Sequence, residues 1–492
     1  MKDILLATIN AKWIHPSLAL RLLKANLGRL QETCDIVEFT LRQPLSEKIE
    51  ALLAAAPRIL GISVSIWNHT ATVELLRELE KAWAPQSLLC KHRQGAARPV
   101  VILGGPEVSH LSEEAEIFRF ADYVIRGEGE LAFRTLCEDN LAPEQYQRHP
   151  PKFINAEPVK LEAIKSGYRL YTDEDLAKKL VYVEASRGCP FNCEFCLSAA
   201  KDRRLDPVRE FPLDVFLLEM DALVRRGAKT FKFLDRTFNF NIKRTLRICE
   251  FFLKKINERE EPLTVHFETV PSLFPPQLLE MLSHFPPATL RLETGIQTLN
   301  GEVAARIGLP GGKSRYLNPE KELVTLRLLH EKTNAIIHTD LIAGLPGEDL
   351  TSFGKGFDCL WLAFTGSDTP PAERPCAGGG RFEIQLGILK LLQDTPISRH
   401  NETFAMRYNP LPPYEVMETS TISAGDLRRI KNFARFWELI INRGLIKYRE
   451  NKPVFENFMA LSDSLFTRFK RNWGIDKNEL LEAVNDSRFV SL

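Results

Sequence analysis

Apolar positions in the first 140 residues fall into two alternating kinds of run. Short, nearly unbroken stretches read as strands: ILLATI at Ile4–Ile9, CDIVEFTL from Cys34, RILGISVSI from Arg58, PVVILGG from Pro99 and DYVIRG from Asp122. Between them lie SLALRLLKANL from Ser17, with Leu18, Leu22 and Leu23 at helical spacing, then SEKIEALLAAA, TATVELLRELEKAW and ELAFRTLCEDN. Strands separated by amphipathic helices predict an α/β domain, a parallel sheet covered by helices on both faces.

The pattern fades between Leu141 and Lys179, where LAPEQYQRHPPKFINAEPVK is rich in proline and polar residues, and this predicts a linker. A second run of units follows. Its strands are LVYVEAS, KTFKFLD, TVHFETV, ATLRLETGI, AIIHTDLIAG and FEIQLGI, separated by helical segments such as PLDVFLLEMDALVRRG and PQLLEMLSHF. Six such units are enough to curl into a partial (β/α)6 barrel. From His400 onward the chain is helical in pattern, as in TISAGDLRRIKNFARFWELIINRG, NFMALSDSLFTRFKRNW and KNELLEAVNDSRF. The expected organisation is a Rossmann-like domain at 1–140, a linker at 141–179, a barrel core at 180–399 and a small helical domain at 400–492.

Composition narrows the function classes. The chain has 492 residues, long enough for several separate cores, with 65 Lys plus Arg against 64 Asp plus Glu. A formal charge of +1 provides no global field to draw in nucleic acid or an anionic membrane. The basic group Arg428, Arg429, Lys431 and Arg435 is nearly balanced by acidic neighbours and reads as a solvated helix face. No apolar run reaches the roughly 18 residues of a membrane-spanning helix, and the opening is too weakly apolar for a signal peptide, so the expected location is cytoplasmic. Nine cysteines are scattered, and three of them fall within eight residues, which in a reducing compartment suggests metal binding.

Ligands of an open parallel sheet sit outside the carboxyl ends of its strands. The loops there are NAKWIHPS from Asn10, the stretch from Ser63 through SIWNHT, GGPEVSH from Gly104 and RGEGE from Arg126. Asn10, Ser63, Ser65, Trp67, Gly104, Gly105, Gly127 and Glu128 are the candidate contacts, the glycines because they let backbone approach a bulky ligand closely. Glycines at helix entries also serve as plain turn residues, and a tryptophan can equally be core.

Cys189, Cys193 and Cys196 place three thiols on one loop after the first strand of the second run, with Gly188 and Pro190 helping the chain to turn. Iron-sulfur clusters use thiolate ligands, normally four. No fourth cysteine lies nearby, so a cluster held here would leave one iron open to a small molecule. A zinc knuckle completed by a distant histidine is the other metal reading, although zinc sites usually pair their cysteines as two separated dyads.

ASRGCPFNCEFC resembles the signature of radical S-adenosylmethionine enzymes, in which the open iron is chelated by the amine and carboxylate of S-adenosylmethionine. FLDRTFN at Phe233–Asn239, LETGIQT at Leu292–Thr298 and DLIAGLPGE at Asp340–Glu348 follow in the family's order. The resemblance implies a [4Fe-4S] cluster on the three cysteines and adenine beside Phe195. It also implies S-adenosylmethionine contacts from Glu293, Gln297, Ile342, Gly344 and Leu345. The amino-terminal half resembles the cobalamin-binding domain fused to one branch of these enzymes. Its usual Asp-x-His-x-x-Gly motif is missing, so no histidine in that context can ligate cobalt from below. His15 and His69 are conceivable substitutes but sit in ordinary turn settings, and Trp67 is the better candidate to cover the lower cobalt face.

By that resemblance, S-adenosylmethionine is cleaved reductively to a 5′-deoxyadenosyl radical that takes hydrogen from substrate, and cobalamin carries a methyl group to the carbon left behind. A cobalamin-dependent cyclase or rearrangement enzyme would show the same cofactor sites, and a non-catalytic sensor could carry both cofactors. Methylthiotransferases share the cysteine loop and add a second cluster on three amino-terminal cysteines. Here Cys34 begins a strand, Cys90 lies in a polar stretch and Cys137 lies inside a helix, so they are not expected to converge. The expected partners are a small-molecule or peptide substrate and an electron donor such as flavodoxin or ferredoxin. TGSDTPPAERPCAGGG, at 365–380, reads as a surface loop, and its Cys376 as an incidental thiol.

Overall fold

The structure is a computed structural model that describes residues 2–84, 98–148, 150–199, 208–308, 318–366, 382–446 and 451–487. Cys90, Cys376 and all but two residues of the 365–380 loop lie outside these. The chain divides into two compact units, Met1–Ala185 with Arg209–Lys232, and Ser186–Val208 with Phe233–Leu492.

The first sheet contains β1 (Ile4–Asn10), β2 (Cys34–Thr40), β3 (Ile59–Ser63), β4 (Val100–Gly104), β5 (Tyr123–Gly127) and β6 (Phe153–Ala156). Their spatial order is β2-β1-β3-β4-β5-β6, and every neighbouring pair is parallel. Ile4 to Ile9 in β1 and Ile59 to Ile62 in β3 are buried throughout, because helices cover both faces and leave no polar side to the strand. One face packs into a core with Leu52, Leu75, Leu76, Leu79 and Phe118, the other into a core with Leu20, Phe133, Leu136 and Cys137. The covering helices are α1 (Leu18–Ala25), α2 (Leu45–Ala55), α3 (His69–Trp83) and α4 (Glu130–Leu141). The strand order reverses between β1 and β3, which makes their carboxyl ends the switch point of the sheet.

The segment expected to be a linker has structure of its own. Four residues, FINA, form β6 against the free edge of β5, pairing Val124 with Phe153 and Gly127 with Ala156. Further on, α5 (Asp173–Lys178) begins at a capping box on Thr172. Asp175 in it meets the Arg21 guanidinium of α1 at 2.7 Å, and Glu38 meets the same guanidinium at 3.0 Å. Val159, Leu161 and Ile164 form a small separate core with Phe211. A strand this short shows no alternation, and Arg21 and Asp175 are 154 positions apart in the chain, so neither feature leaves a local signal.

The second sheet is built from β7 (Val181–Val183), β8 (Thr230–Phe233), β9 (Thr264–Thr269), β10 (Leu290–Gln297), β11 (Ile336–Ala343) and β12 (Phe382–Ile388). They lie in sequential order, β12-β11-β10-β9-β8-β7, with β9 to β12 parallel. This is the order of the expected (β/α)6 partial barrel. Along β9 and β10 the side chains alternate: Val265, Phe267, Leu290, Leu292 and Ile296 are buried, while His266, Arg291, Glu293 and Gln297 are half-buried on the opposite face.

The carboxy-terminal helices α6 (Ala424–Trp437), α7 (Phe455–Phe469) and α8 (Lys477–Asn485) belong to the same compact unit as β9 to β12. Phe433, Phe436 and Trp437 are buried. The Trp437 ring packs edge-on against Phe357 at 4.8 Å and Trp361 at 5.5 Å, both on the helix Leu350–Thr365. The basic face of α6 is internally satisfied: Arg429 reaches Asp463 and Asp426, Lys431 reaches Glu415, and Arg435 donates to the Asn472 carbonyl. Just after α6, buried Asn442 bonds both the N–H and the carbonyl of Ile384 on edge strand β12, beyond which no further strand pairs among the described residues.

Candidate functional site

Asn10, Ser63, Gly104 and Gly127 are the last residues of β1, β3, β4 and β5, so the first sheet brings all four to one edge. Asn68, fully buried, fastens the switch point there. Its amide donates to the Ile9 carbonyl at 3.0 Å, and its Oδ1 accepts from the Ser65 N–H at 2.8 Å, tying the end of β1 to the loop after β3. Trp67, one residue earlier, is 54% exposed, which removes the reading of it as core. Trp13, on the loop after β1, is 50% exposed with the Lys179 ammonium 4.9 Å from its ring. The two adjacent strands at the switch point therefore each end in a loop with an exposed indole. Trp13 and Asn68 were missed from sequence, although NAKWIHPS and SIWNHT contain them.

Gly105 has φ +107, and a Cβ there would lie 2.5 Å from the Val64 carbonyl oxygen, so its glycine is demanded by the protein's own backbone. Gly104 differs: a Cβ would meet nothing closer than 3.8 Å, which leaves space over the strand end. Glu128 is occupied, accepting from the Val159 N–H at 3.0 Å and pairing with Arg209. His69 is held by Glu107, Nδ1 to Oε1 at 2.8 Å, and His15 by the Tyr182 hydroxyl at 2.8 Å. Burial holds the His15 imidazole below the usual histidine range.

In the second unit Cys189, Cys193 and Cys196 are thiols outside any disulfide. Gly188, at φ +95, turns the chain into the loop. The Cys196 N–H donates to the Cys193 carbonyl and the Ala199 N–H to the Cys196 carbonyl, each at 2.9 Å, which winds the end of the loop into a tight turn. Cys193 is buried and bridges to Gly308, whereas Cys189, Phe195 and Cys196 are half-buried. The loop after β8 lies beside the sulfurs. Thr237 Oγ1 is 3.5 Å from Cys189 Sγ, and Arg236 Nη1 is 3.9 Å from Cys196 Sγ while also bonding Ser198. Asn239 completes that loop by bonding both the N–H and the carbonyl of Val270 at 2.9 Å.

Three cysteine thiols on one ordered turn, with a guanidinium beside one sulfur, fit a thiolate-bound iron-sulfur cluster. Among the described residues no three His, Cys, Asp or Glu side chains converge on a single ion position. A cubane does not ask for that, since each thiolate binds a different iron.

The family-like strands end at the same edge. Glu293 is held by His266, Nε2 to Oε2 at 3.0 Å. At Gln297, φ is +70, and the register to β11 slips between Gly295 and Gln297, so the strand bulges as it ends. Ile342 is half-buried and Leu345 buried. Gly344 has φ +85, and a Cβ there would lie 2.5 Å from the Val416 side chain, so this glycine is required by the carboxy-terminal segment. Glu348 is buried, accepts from Thr298 Oγ1 at 2.6 Å, and burial pushes its carboxyl up to about 7.

Cys34 and Cys137 are buried in one core, Cys34 at the start of β2, the edge opposite the ligand loops. Burial pushes the Cys34 thiol up to about 12 and that of Cys137 higher still, so both are inert packing residues. They do not supply a second cluster.

The B12 binding domain family matches residues 4–137, and the Radical SAM superfamily matches 183–357. An uncharacterized methyltransferase of Pyrococcus horikoshii, PH0819, is 31% identical over 170 residues, 30% of this chain and 36% of that protein. A tRNA-2-methylthio-N(6)-dimethylallyladenosine synthase of Buchnera aphidicola is 25% identical over 268 residues, 52% of this chain and 56% of that protein. TokK, a cobalamin-dependent radical SAM methyltransferase of Streptomyces tokunonensis, is 21% identical over 338 residues, 64% of this chain and 46% of that protein. The chain thus spans roughly a third to a little over half the length of these relatives. The cobalamin-dependent S-adenosylmethionine radical enzyme OxsB, solved with aqua-cobalamin and S-adenosylmethionine bound, has the same fold, with TM-score 0.63 at 15% identity over 99% of this chain and 79% of that one. Among the described residues no helix is long and apolar enough to cross a membrane. A B12-binding domain followed by a radical SAM domain makes this chain a member of the cobalamin-dependent radical SAM enzymes, whose cofactors are a [4Fe-4S] cluster, S-adenosylmethionine and cobalamin.

Proposed function

We propose that the protein methylates an unactivated carbon of a small-molecule or peptide substrate, with Cys189, Cys193 and Cys196 as the ligands of its cluster. When bound, the cofactors would supply radical hydrogen abstraction and a transferable methyl group, chemistry that no side chain of the chain can perform. The protein's part is to bind, orient and shield. The three thiolates would hold the cluster and leave one iron for the amine and carboxylate of S-adenosylmethionine. Arg236 would complement negative charge at the sulfurs, Phe195 would lie against the adenine, and Glu293, Gln297 and the Ile342–Leu345 backbone would take the rest of the nucleoside.

On the first sheet, the backbone at Gly104 and the side chains of Asn10, Ser63 and Ser65 border the corrin. Trp67 would cover the cobalt on the side where no histidine is offered in the usual motif. Its exposure at the end of β3 supports that role, because an indole left half in water gains by covering an apolar ring. Gly105 and Glu128 act at one remove, Gly105 by letting the loop turn and Glu128 by pinning it to Arg209 and Val159. The electron comes from a small redox protein such as flavodoxin or ferredoxin.

The observation that carries this reading is the ordered turn that gathers Cys189, Cys193 and Cys196, none of them in a disulfide, on one loop. The experiment is anaerobic reconstitution followed by mass analysis of S-adenosylmethionine products in the presence of candidate substrates. Methylation gives 5′-deoxyadenosine together with S-adenosylhomocysteine. 5′-Deoxyadenosine alone, with the substrate converted, assigns the chain to radical cyclisation or rearrangement.

A further inference from the structure

Glu194, between the second and third cysteines, is the one acid in the loop Gly188–Ala199, and its side chain is 0% exposed. Both its main-chain groups and its carboxylate are engaged by residues far along the chain. Its N–H donates to the Ile307 carbonyl at 3.0 Å, and its carbonyl accepts from the Ile397 N–H at 3.1 Å. Arg399 Nε donates to Oε2 at 3.1 Å, and Arg399 Nη2 lies 2.5 Å from Oε1, too oblique for a hydrogen bond. His400 Nε2 donates to Oε2 at 2.9 Å. A carboxylate with no access to water is tolerable only because two cationic or donor side chains meet it.

The segment that supplies those partners also holds the Gly344–Glu348 loop. Val416 fills the space left by the missing Cβ of Gly344, the Thr421 hydroxyl donates to the Glu348 carbonyl at 3.0 Å, and Phe404 packs under the Arg306 guanidinium, which donates to the Pro346 carbonyl at 2.6 Å. Residues 397–421 thus touch both the cysteine loop and the strand end that carries Ile342 to Leu345.

We propose that Glu194, Arg399 and His400 form a positioning latch that sets the cysteine loop against residues 397–421, so that the open iron faces a correctly placed nucleoside pocket. The proposal rests on the reading of the three cysteines as cluster ligands. It gives the carboxy-terminal part of the chain a task at the cofactor site, in place of a separate recognition module. None of the three latch residues touches a reacting atom.

The test uses Arg399→Ala, Arg399→Lys and His400→Ala in the full chain, each checked for wild-type circular dichroism. Hydrogen exchange of the apo protein reads the loop without any cluster, and the reconstituted protein is followed by iron release to a chelator and by the electron paramagnetic resonance change on adding S-adenosylmethionine. Arg399→Ala is expected to speed exchange at residues 193–199, to release iron roughly tenfold faster, as loss of an outer-shell partner does, and to blunt the spectral change, with Arg399→Lys restoring most of each. Should Arg399→Ala fail to fold, His400→Ala carries the same expectation. Wild-type exchange, iron release and spectral response in both variants would overturn the latch. A wild-type protein that takes up no cluster would instead overturn the reading of the cysteines.

Discussion

Thr298 donates from Oγ1 to Glu348 Oε1 at 2.6 Å, joining the end of β10 to the loop after β11. The other carboxyl oxygen, Oε2, is buried and has no hydrogen-bond partner among the described residues. A carboxyl in this setting holds its proton: burial is the largest influence, the Asp349 charge adds to it, the Thr298 bond opposes it, and the result is a value of about 7 against 4.5 for a free Glu. In the unfolded chain the proton leaves near 4.5, so the folded state binds more protons between 4.5 and 7 and its stability falls as pH rises through that window. Glu348→Gln mimics the protonated acid and keeps an acceptor for Thr298. Urea denaturation should find it close to wild type at pH 5 and more stable by roughly 1–3 kcal/mol at pH 8. Equal pH dependence in the two proteins would show that the carboxyl is ionised when folded.

The paired glycines after β4 should respond differently to substitution. Gly105→Ala forces a Cβ against the Val64 carbonyl at a left-handed φ and should lower stability by roughly 1–3 kcal/mol in a denaturation experiment. Gly104→Leu has room at its Cβ and should unfold like wild type, while retaining less cobalamin after gel filtration. Full cobalamin retention in a well-folded Gly104→Leu protein would place the corrin elsewhere.

Trp67→Ala removes a side chain that is 54% exposed, so its unfolding midpoint should stay near wild type. The absorption spectrum of bound cobalamin should change, since water or buffer can then reach the face the indole covers. An unaltered spectrum would mean that another group lies under the cobalt.

Asn442→Ala strips the partner from both backbone groups of Ile384, which are buried at the edge of the sheet. The expected cost is about 2–4 kcal/mol by urea denaturation, from unsatisfied buried groups at about 1–3 kcal/mol each. A loss below about 0.5 kcal/mol, the usual range of a surface change, would show that water takes over the role.

The elements carrying the two cofactor sites were legible because each leaves a local trace. Buried parallel strands such as ILLATI and PVVILGG read as unbroken apolar runs, and Cys189, Cys193 and Cys196 announce themselves by spacing. Residues whose role depends on distant partners were not legible. Asn68 matters because it reaches the Ile9 carbonyl, and Glu194 because Arg399 and His400 arrive about two hundred positions later. β6 was read as linker since four residues cannot display a period. Gly344 was read as a nucleoside contact from its motif, and that the space where its Cβ would lie is taken by Val416 is something only the folded chain reveals.

The central claim is an iron-sulfur cluster on three cysteines with one iron left for S-adenosylmethionine. Its most direct test is electron paramagnetic resonance of the anaerobically reconstituted, reduced protein, recorded with and without S-adenosylmethionine, beside iron analysis and Cys193→Ala. About four irons per chain, a spectrum that shifts when S-adenosylmethionine is added, and loss of the signal in Cys193→Ala are the predicted results. Zinc in place of iron, or a cluster signal indifferent to S-adenosylmethionine, would contradict it.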